Sequence, residues 1–563
     1  MLLRLSRSVL VFGLTVASLF SPTEAQQVVS GTKVKLTFQS TNDTNTFLGT
    51  NLTPISDWST EYPFLNVAKT MRPWVSRNAD TGMWGDGRGL NLDSNGYVIS
   101  LSPKQEAVSV VMMGENSSLY SGSYVFSYTG DGVFKFFGAV TAGEASREGD
   151  KTTIPLTVGP DSGGVFFYLT TTDPSNYPKN IKIYESRYTE AQVDSLVFNP
   201  AFVSLASKFS YIRFMDWLKT NNSPNRFWEQ RPKVEDCSWS SDKGVPYEIC
   251  LSLTSKIRAV PWLCIPHQAD AEYVAALAEL LATDREIYVE LSNEVWNGIF
   301  NQHQYFITEA GNQGGLQSGL QSGLQGDAFL SAMTYHALLG SEFSSILKAK
   351  NSKIKFVQGG FIAWPWGADQ VLGYLKANGK PLPDSYAIAA YFGGEYGNPD
   401  YYSIQQVLAF TPVSLVESCI SKDLPGLLSA IDAFVVVGNK YGVKITGYEG
   451  GQHMVGVRGQ ENNAAINVLF DKANRTPRIS EAYFQLAKNW QIKTGGSPLC
   501  FFNLVEAPSK YGRWGMYTSL KDTTSNKARG IRSFVKAEPR TKTVTVTIPW
   551  DGTSTVVIDG QEN

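Results

Sequence analysis

Two glutamates that each follow a short apolar run are the residues of this chain best suited to do chemistry. Glu294 follows the run Ile287–Leu291, and Glu449 follows the run Val443–Gly447. Each run predicts a buried parallel strand that presents its glutamate at its C-terminal end. Two carboxylates on separate strands can cleave a glycosidic bond with retention of configuration. One then serves as acid/base and the other as nucleophile, with the carboxyl groups about 5 Å apart.

Apolar runs alternate with helical patterns through the middle and C-terminal parts of the chain, as in a series of β/α units. Helical patterns such as Ala271–Leu281, Asp327–Lys350 and Leu424–Tyr441 separate the predicted strands. Eight units predict an α/β fold of the (β/α)8 TIM-barrel type, with the active site at the C-terminal ends of the strands. The predicted strands are Phe47–Leu52, Tyr211–Phe214, Val260–Ile265, Ile287–Leu291, Ile354–Val357, Ala387–Tyr391, Val443–Gly447 and Leu499–Asn503.

Three other glutamates compete for the two chemical roles. By the two-residue period of a strand, Glu290 shares a face with Glu294 but lies deeper in the barrel, which favours a structural ion pair. Glu395 and Glu506 stand in Gly-Gly-Glu-Tyr and Leu-Val-Glu-Ala and are predicted to be rim residues. We therefore expect Glu294 to be the acid/base, with a raised pKa, and Glu449 to be the ionised nucleophile.

A different pattern interrupts the barrel between its first and second units. Short strands with glycine turns predict an inserted β-sandwich, and Gly130-Asp131-Gly132 between two aromatic strands predicts a hairpin. A C-terminal β-hairpin could complete the sandwich or pack on the barrel. The predicted segments are a signal peptide (1–25), the start of the barrel (26–88), the sandwich (89–195), the remaining barrel (196–535) and the C-terminal hairpin (536–563).

The N-terminus and the charge balance narrow the class of protein. Arg4 and Arg7, the apolar stretch Val9–Phe20 and the small-residue site Thr23–Ala25 predict a cleaved signal peptide and a soluble, secreted protein. The apolar stretch is too short to span a membrane comfortably. A formal net charge of −2, without a long run of one sign, lacks the basic footprint of a nucleic-acid binder.

The cysteines and histidines indicate no metal chemistry. Five cysteines leave at least one unpaired, and Cys237 and Cys250, which flank a polar loop, predict a disulfide. Cys264 and Cys500 lie in apolar runs and are expected to be buried thiols. The chain has four histidines and no closely spaced set of Cys and His, so no zinc site is predicted, and glycosidic cleavage requires no metal or organic cofactor.

Polar and aromatic residues near the strand ends could bind the substrate. Asn293 could hydrogen-bond the 2-hydroxyl of a bound sugar beside Glu294. Trp296, Trp364, Trp366 and Trp514 follow strand ends, where indole rings could stack on sugar faces. Any one of them could equally be a packing residue, but as a group they favour a polysaccharide cleft.

Over roughly residues 45–75 and 205–520 the chain resembles clan A of the retaining glycoside hydrolases. Members of that clan are (β/α)8 barrels in which Asn-Glu ends the fourth strand and a nucleophilic Glu ends the seventh. Asn293-Glu294 and Glu449 match these positions, so the resemblance implies that Glu294 is the acid/base and Glu449 the nucleophile.

The resemblance also implies roles for three further residues and has clear departures. Arg213 resembles the clan's second-strand Arg near the nucleophile, His267 a substrate-binding His, and Tyr391 a Tyr that hydrogen-bonds the nucleophile. Each could instead be a satisfied polar group of the barrel core. The chain reads Asn-Glu-Val-Trp where many members read Asn-Glu-Pro, and the nearest Trp to the eighth strand is Trp514. The subfamily is therefore not identified.

The sequence predicts a secreted retaining glycoside hydrolase that cleaves a β-linked polysaccharide such as a glucan, xylan or mannan. A non-catalytic carbohydrate-binding or extracellular-matrix protein on the same fold is the alternative, because fold does not fix function. An esterase ranks last, since the chain lacks a Gly-x-Ser-x-Gly elbow with suitable partners. The sugar, the linkage and the oligomeric state stay open.

Overall fold

The computed structural model describes residues 26–30, 33–42, 47–113, 119–160, 163–312, 327–537 and 540–549. The chain also repeats Leu-Gln-Ser-Gly over residues 315–325. That repeat, the predicted signal peptide and residues 554–558, the second strand of the predicted C-terminal hairpin, lie outside the described residues. The chain divides into two compact units, one of residues 47–530 and one of residues 1–46 with 531–563.

Eight parallel strands close into a barrel in the larger unit, so the predicted (β/α)8 fold is confirmed. Each strand pairs with the next, and the last returns to the first with Phe501 beside Thr50. Most are short apolar runs buried on both faces, as parallel strands under a layer of helices must be. The strands are β1 Leu48–Asn51, β2 Tyr211–Arg213, β3 Val260–Ile265, β4 Ile287–Leu291, β5 Ile354–Gly359, β6 Ser385–Phe392, β7 Lys444–Gln452 and β8 Leu499–Phe501.

Helices follow the barrel strands, and their ends follow local capping rules. Asp270 begins one helix by accepting a hydrogen bond from the Tyr273 backbone N–H at 2.7 Å, and Gly442, at φ +72°, ends another. No helix in the described parts of the chain is long and apolar enough to cross a membrane. The α-helices are Glu190–Leu196, Pro200–Ala206, Tyr247–Ile257, Ala271–Leu280, Asn301–Asn312, Ala328–Lys350, Pro365–Ala377, Ile404–Leu408, Pro412–Ser418, Leu424–Tyr441, Ala464–Arg475, Ile479–Thr494 and Asn526–Ala537.

Two antiparallel sheets form a sandwich between β1 and β2. Phe126, Phe134 and Phe167 pack between the sheets, because alternate residues of each strand face inward. The five-stranded sheet contains Gly122–Thr129, Val140–Ala142, Ser146–Glu148, Lys151–Val158 and Lys179–Glu185. The four-stranded sheet contains Val75–Asn78, Gln105–Val111, Gly132–Gly138 and Val165–Thr172, and a separate pair joins Asn91–Leu92 to Val98–Ser100.

Two local predictions about this region are wrong. The strands on either side of Gly130-Asp131-Gly132 belong to different sheets, so the segment is a crossover and not a hairpin. Its backbone bonds to other loops, since the Asp131 N–H donates to Asn176 O at 2.6 Å. Cys237 and Cys250 are free, buried thiols. Cys237 packs in the sandwich core and Cys250 lies on a helix beside β3, so the two side chains occupy different cores.

The smaller unit contains a three-stranded antiparallel sheet. Strand Lys33–Asn42 is central and pairs with Gln26–Ser30 on one side and Arg540–Pro549 on the other. From sequence, the first two strands are predicted to belong to the start of the barrel and the third to a C-terminal hairpin. Their period-two alternation of Val, Ile and Thr suits an antiparallel sheet, and sequence alone does not reveal pairing between segments about 500 residues apart.

Candidate active site

Strand β4 delivers Glu294 through a short turn with unusual backbone angles. Ser292 and Glu294 have φ values of +62° and +40°, in the left-handed region that residues with a side chain rarely adopt. The turn is closed by the Asn297 backbone N–H, which donates to Glu294 O at 2.8 Å. Strained backbone of this kind concentrates at functional sites, because the surrounding structure must hold it.

Strand β7 delivers Glu449 through a β-bulge. Gly447 pairs with Ile388 and Glu449 with the next residue, Ala389, so Tyr448 is the extra residue on β7. Successive residues of a regular strand point to opposite faces, and a bulge re-aims one of them. Tyr448 and Glu449 therefore both face the barrel interior, where each contacts Arg213.

Arg213, at the end of β2, is fully buried and joins four side chains. Its Nε and Nη2 donate to Glu290 Oε2 at 3.0 and 2.9 Å, and Nη2 also donates to Asn293 Oδ1 at 2.8 Å. Nη1 donates to Glu449 Oε1 at 3.1 Å and to Asn51 Oδ1 at 3.2 Å. One guanidinium thus fixes groups from β1, β4 and β7 in a single network, as its planar fork of donors allows.

Glu449 has a cation and a hydroxyl group bound directly to its two carboxyl oxygens. Arg213 binds Oε1, and the Tyr391 hydroxyl donates to Oε2 at 3.0 Å. Burial raises the pKa of Glu449, while the charge of Arg213 and the Tyr391 hydrogen bond oppose the rise. A carboxylate with both oxygens so bound is held ready as a nucleophile.

Glu294 lies in surroundings that favour its protonated form. Among the described residues, no cation forms an ion pair with it. The Tyr448 hydroxyl donates to Oε1 at 3.1 Å and Asn297 Nδ2 to Oε2 at 2.9 Å. Burial raises the pKa of Glu294 to about 7, and the negative charge of Glu449 adds to the rise. The direct Arg213 contact to Glu449 and the raised pKa of Glu294 match the assignment of nucleophile and acid/base.

The other predicted site residues divide into those near the glutamates and those outside the network. Trp514 lies beside Tyr391 and His453, at ring-centroid distances of 5.9 and 4.9 Å, and forms part of the wall next to Glu449. His267 is buried against Tyr305 at 5.2 Å, and burial lowers its pKa to about 4. Its hydrogen bonds in the described structure do not reach either glutamate.

The remaining tryptophans lie after strands β4 and β5, and one of them, Trp296, also contacts the Tyr448 side chain. Trp296 stacks on Phe361 at 4.4 Å, and Trp364 lies 4.8 Å from Phe329 and 5.9 Å from the partly exposed Trp366. The group follows strands β4 and β5, so these rings lie on the β4–β5 side of the C-terminal face. Packing explains the rings that contact one another, and the exposed part of Trp366 is free for a ligand.

The competing glutamates lie outside the pair. Glu290 forms a buried ion pair with Arg213 and accepts a further hydrogen bond from Trp262 Nε1 at 3.0 Å. Glu395 is exposed, and Glu506 is held by Asn503 Nδ2 at 2.8 Å. Within the described ranges, no three His, Cys, Asp or Glu side chains are grouped as metal ligands.

Four polar residues of the site were not predicted from the sequence. Asn51 holds Arg213 and, through Nδ2, the Tyr448 carbonyl at 2.9 Å. Tyr448 directly precedes Glu449, and Asn297 follows Glu294 by three residues. This closeness in sequence is the one feature from which their roles could have been predicted. Asp216 lies just after β2; burial raises its pKa to about 7, and the charges of Glu449 and Glu506 add to the rise.

Three solved structures show what the chain is similar to, each at low identity. The α-L-arabinofuranosidase from Thermotoga maritima, in its arabinose complex, is 14% identical with a TM-score of 0.36, over 62% of this chain and 65% of that one. This chain therefore spans just under two thirds of its length. A thermostable mutant of the xylanase Xyn10A from Cellvibrio japonicus is 11% identical with a TM-score of 0.35, over 60% and 92% of the two chains. Cel5A from Thermotoga maritima, in complex with mannotriose substrate, is 12% identical with a TM-score of 0.33, over 60% of this chain and 90% of that one.

No protein-family model and no curated protein matches the chain. The site itself must therefore carry the argument on function.

Proposed function

We propose that the protein is a secreted retaining glycoside hydrolase that cleaves a β-linked polysaccharide. The observation that carries the proposal is the contrast between two buried glutamates at the ends of β4 and β7. Glu449 is bound by Arg213 and Tyr391, whereas Glu294 has a pKa of about 7 and no direct cation. A retaining glycosidase needs this division between an ionised nucleophile and a protonated acid.

The reaction follows from these positions. A Glu449 oxygen attacks the anomeric carbon while the bond to the leaving oxygen breaks, and that oxygen takes the proton of Glu294. A covalent glycosyl ester of Glu449 results. Glu294, now ionised, removes a proton from water, and the hydroxide attacks the anomeric carbon and frees Glu449. Arg213 and Tyr391 stabilise the Glu449 carboxylate before attack and after release.

Exposed aromatic residues support a polymeric substrate. Trp58, Trp366, Tyr401 and Tyr511 are exposed and follow β1, β5, β6 and β8 respectively. Loops after barrel strands gather at the C-terminal face, so these rings surround the side of the barrel that holds the two glutamates. A substrate of several sugar units would reach more of these rings than a single sugar.

A reducing-sugar assay over β-glucans, xylans, mannans and chitin tests the proposal. The wild type should release sugar from at least one polymer. Glu294→Gln should reduce turnover by about 10²- to 10⁴-fold, the contribution of general acid–base catalysis, and Glu449→Gln should abolish it. Glu395→Gln, an exposed glutamate after β6, is the matched control and should retain activity.

The stereochemistry and the alternative function are decided by two further readouts. Proton NMR of the first product should show the β anomer, whereas the α anomer would contradict the retaining mechanism. If no polymer is cleaved but one is retained in a pull-down, the protein is a carbohydrate-binding protein on this fold. If turnover survives in both glutamine variants, the site assignment is wrong.

Secretion is tested by expressing the full chain in a secreting host. The proposed signal peptide predicts that protein accumulates in the medium with Gln26 as its first residue. Retention of full-length protein in the cells would contradict this part of the proposal.

A further inference from the structure

The two oxygens of the Glu294 carboxyl group have different hydrogen-bond partners, and this difference determines where its proton can sit. Asn297 Nδ2 donates to Oε2 at 2.9 Å. Flipping the Asn297 side-chain amide would break a second hydrogen bond, because its Oδ1 accepts from the Ile299 backbone N–H at 3.2 Å. An amide nitrogen has no lone pair to offer. Oε2 therefore accepts from Asn297 whether or not Glu294 is ionised, whereas the partner of Oε1 can itself accept, so the hydrogen bonds favour Oε1 as the oxygen that carries the proton.

The partner of Oε1 is a hydroxyl group, which can act in both directions. The Tyr448 oxygen lies 3.1 Å from Oε1. A hydroxyl rotates to donate or to accept as its partner requires. With Glu294 ionised, the Tyr448 O–H donates to Oε1; with Glu294 protonated, Oε1–H donates to the Tyr448 oxygen. Both arrangements use the same pair of oxygens, whose separation of 3.1 Å is slightly longer than a typical O–H···O hydrogen bond.

The position of the Tyr448 ring is fixed by its surroundings. The bulge in β7 turns Tyr448 into the barrel, where it is 1% exposed and its ring lies 5.1 Å from the Arg213 guanidinium. Asn51 Nδ2 binds the Tyr448 carbonyl at 2.9 Å and ties the bulge to β1. The hydroxyl therefore stays beside Oε1 without rearrangement of the ring.

We propose that Tyr448 is the positioning residue for the acid proton: it holds that proton on Glu294 Oε1 before transfer and donates to Oε1 after transfer. The proposal deepens the proposed glycosidase function and rests on it for its catalytic meaning. In the first step the Oε1–H bond breaks and the proton forms a bond to the leaving oxygen, while the electron pair of the glycosidic bond goes to that oxygen. The Tyr448 hydroxyl then stabilises the carboxylate left behind.

Other charged groups also act on Glu294 and must be kept constant in any test. Glu449 and Tyr448 face it from β7, Arg213 from β2 and Tyr391 from β6. Glu449 raises the pKa of Glu294, while Arg213 and the hydrogen bonds from Tyr448 and Asn297 lower it. Tyr448→Phe removes only one hydroxyl and leaves the other groups in place.

The first test uses infrared difference spectra recorded during a pH titration, with Glu294→Gln to assign the carboxyl band. Hydrogen bonding to a C=O lowers its stretching frequency, so the band reports which partner faces the unprotonated oxygen. Asn297→Ala should raise the frequency of the protonated Glu294 band, because Oε2 is its C=O. Tyr448→Phe should leave that frequency nearly unchanged but move the titration midpoint to higher pH. The reverse pattern of frequencies, or an unchanged midpoint in Tyr448→Phe, would overturn the proposal.

The second test uses turnover and so depends on the glycosidase function. Tyr448→Phe should lower kcat on the polysaccharide about 10- to 100-fold, the value of a hydrogen bond to a charged group. The substitution should also extend activity to higher pH. It should have little effect on kcat for a dinitrophenyl glycoside of the same sugar, because that leaving group needs no proton. An unchanged pH profile, or an equal loss on both substrates, would contradict a positioning role.

Tyr386→Phe is the matched control, since Tyr386 is a buried tyrosine of β6 that packs outward against Phe434. It should change neither the infrared midpoint nor the pH profile. If the wild type cleaves no substrate, the proposed function fails, but the infrared titration still decides the role of Tyr448.

Discussion

Arg213 Nη1 lies 3.1 Å from Glu449 Oε1, inside a barrel where the arginine side chain is completely buried. The same guanidinium binds Glu290 at 2.9 Å. A buried cation shared by two carboxylates, one at the site and one beneath it, makes the stability of the barrel depend on the group that orients the nucleophile. Burying these charges costs free energy, and that cost is offset only while Arg213, Glu290 and Glu449 remain in contact.

Removing Arg213 should therefore destabilise the protein strongly. We expect Arg213→Ala to lower the free energy of unfolding by about 3–5 kcal/mol, because it leaves buried carboxylates without a partner. The double variant Arg213→Ala with Glu290→Gln should recover part of that loss, since one uncompensated charge is gone. Urea denaturation of both variants measures the difference. Equal stabilities of the single and double variants would show that Glu290 is not paired with Arg213.

Two carboxyls with raised pKa values predict how stability depends on pH. Burial raises the pKa of Glu294 from 4.5 to about 7, and that of Asp216 from 3.8 to about 7. Between these limits each of the two groups keeps a proton in the folded protein that the unfolded chain has released. Each therefore contributes a fall in the free energy of unfolding as pH rises, and its contribution is complete above about pH 7. Urea denaturation at pH 5, 6, 7 and 8 measures this slope.

The same titration separates the contributions of the two groups. Glu294→Gln and Asp216→Asn should each flatten the fall in stability between about pH 5 and 7, because each removes one group that binds a proton in that window. Glu395→Gln, an exposed glutamate, should leave the slope unchanged. If neither substitution changed the slope, the raised pKa values of Glu294 and Asp216 would be contradicted.

The sequence was sufficient for the barrel because its strands are continuous apolar runs between helical patterns. The run Ile287–Leu291 matches β4 residue for residue, and Val260–Ile265 matches β3. Such runs are buried on both faces, so hydrophobicity alone identifies them. The side of the barrel on which Glu294 and Glu449 lie follows from strand direction.

The finer features of the site were not predictable, because they depend on backbone irregularities. The bulge at Tyr448 exists only as a mismatch in pairing with β6, and the positive φ of Glu294 arises in a turn of ordinary residues. Asn51 hydrogen-bonds to Arg213 on β2 and to Tyr448 on β7, and both residues are far from it in sequence. The Cys237–Cys250 prediction failed for a related reason. Cys237 and Cys250 are close in sequence, but the segment between them runs from the sandwich core to a helix of the barrel, so closeness in sequence does not bring the two thiols together.

The cysteines provide a direct check of the corrected assignment. All five are free and buried, so a thiol reagent should label none of them in the native protein. After unfolding without a reductant, it should label five. Mass spectrometry counts the added groups, and a reductant should leave the melting temperature unchanged. Labelling of only three thiols in the unfolded, unreduced protein would reveal a disulfide and contradict the structure.

Asn51 should matter for both stability and activity although it touches neither the proton donor nor the substrate-facing side of Glu449. Asn51→Asp preserves the acceptor for Arg213 but replaces the amide that donates to the Tyr448 carbonyl at 2.9 Å. We expect a loss of about 1–3 kcal/mol in the free energy of unfolding, the cost of an unsatisfied buried polar group. The released bulge should also lower kcat more than it raises KM, because it positions both Tyr448 and Glu449. Asn378→Ala removes an exposed amide–carbonyl bond of 2.9 Å and should alter neither quantity appreciably. A fully active, fully stable Asn51→Asp protein would show that the bulge holds its shape without β1.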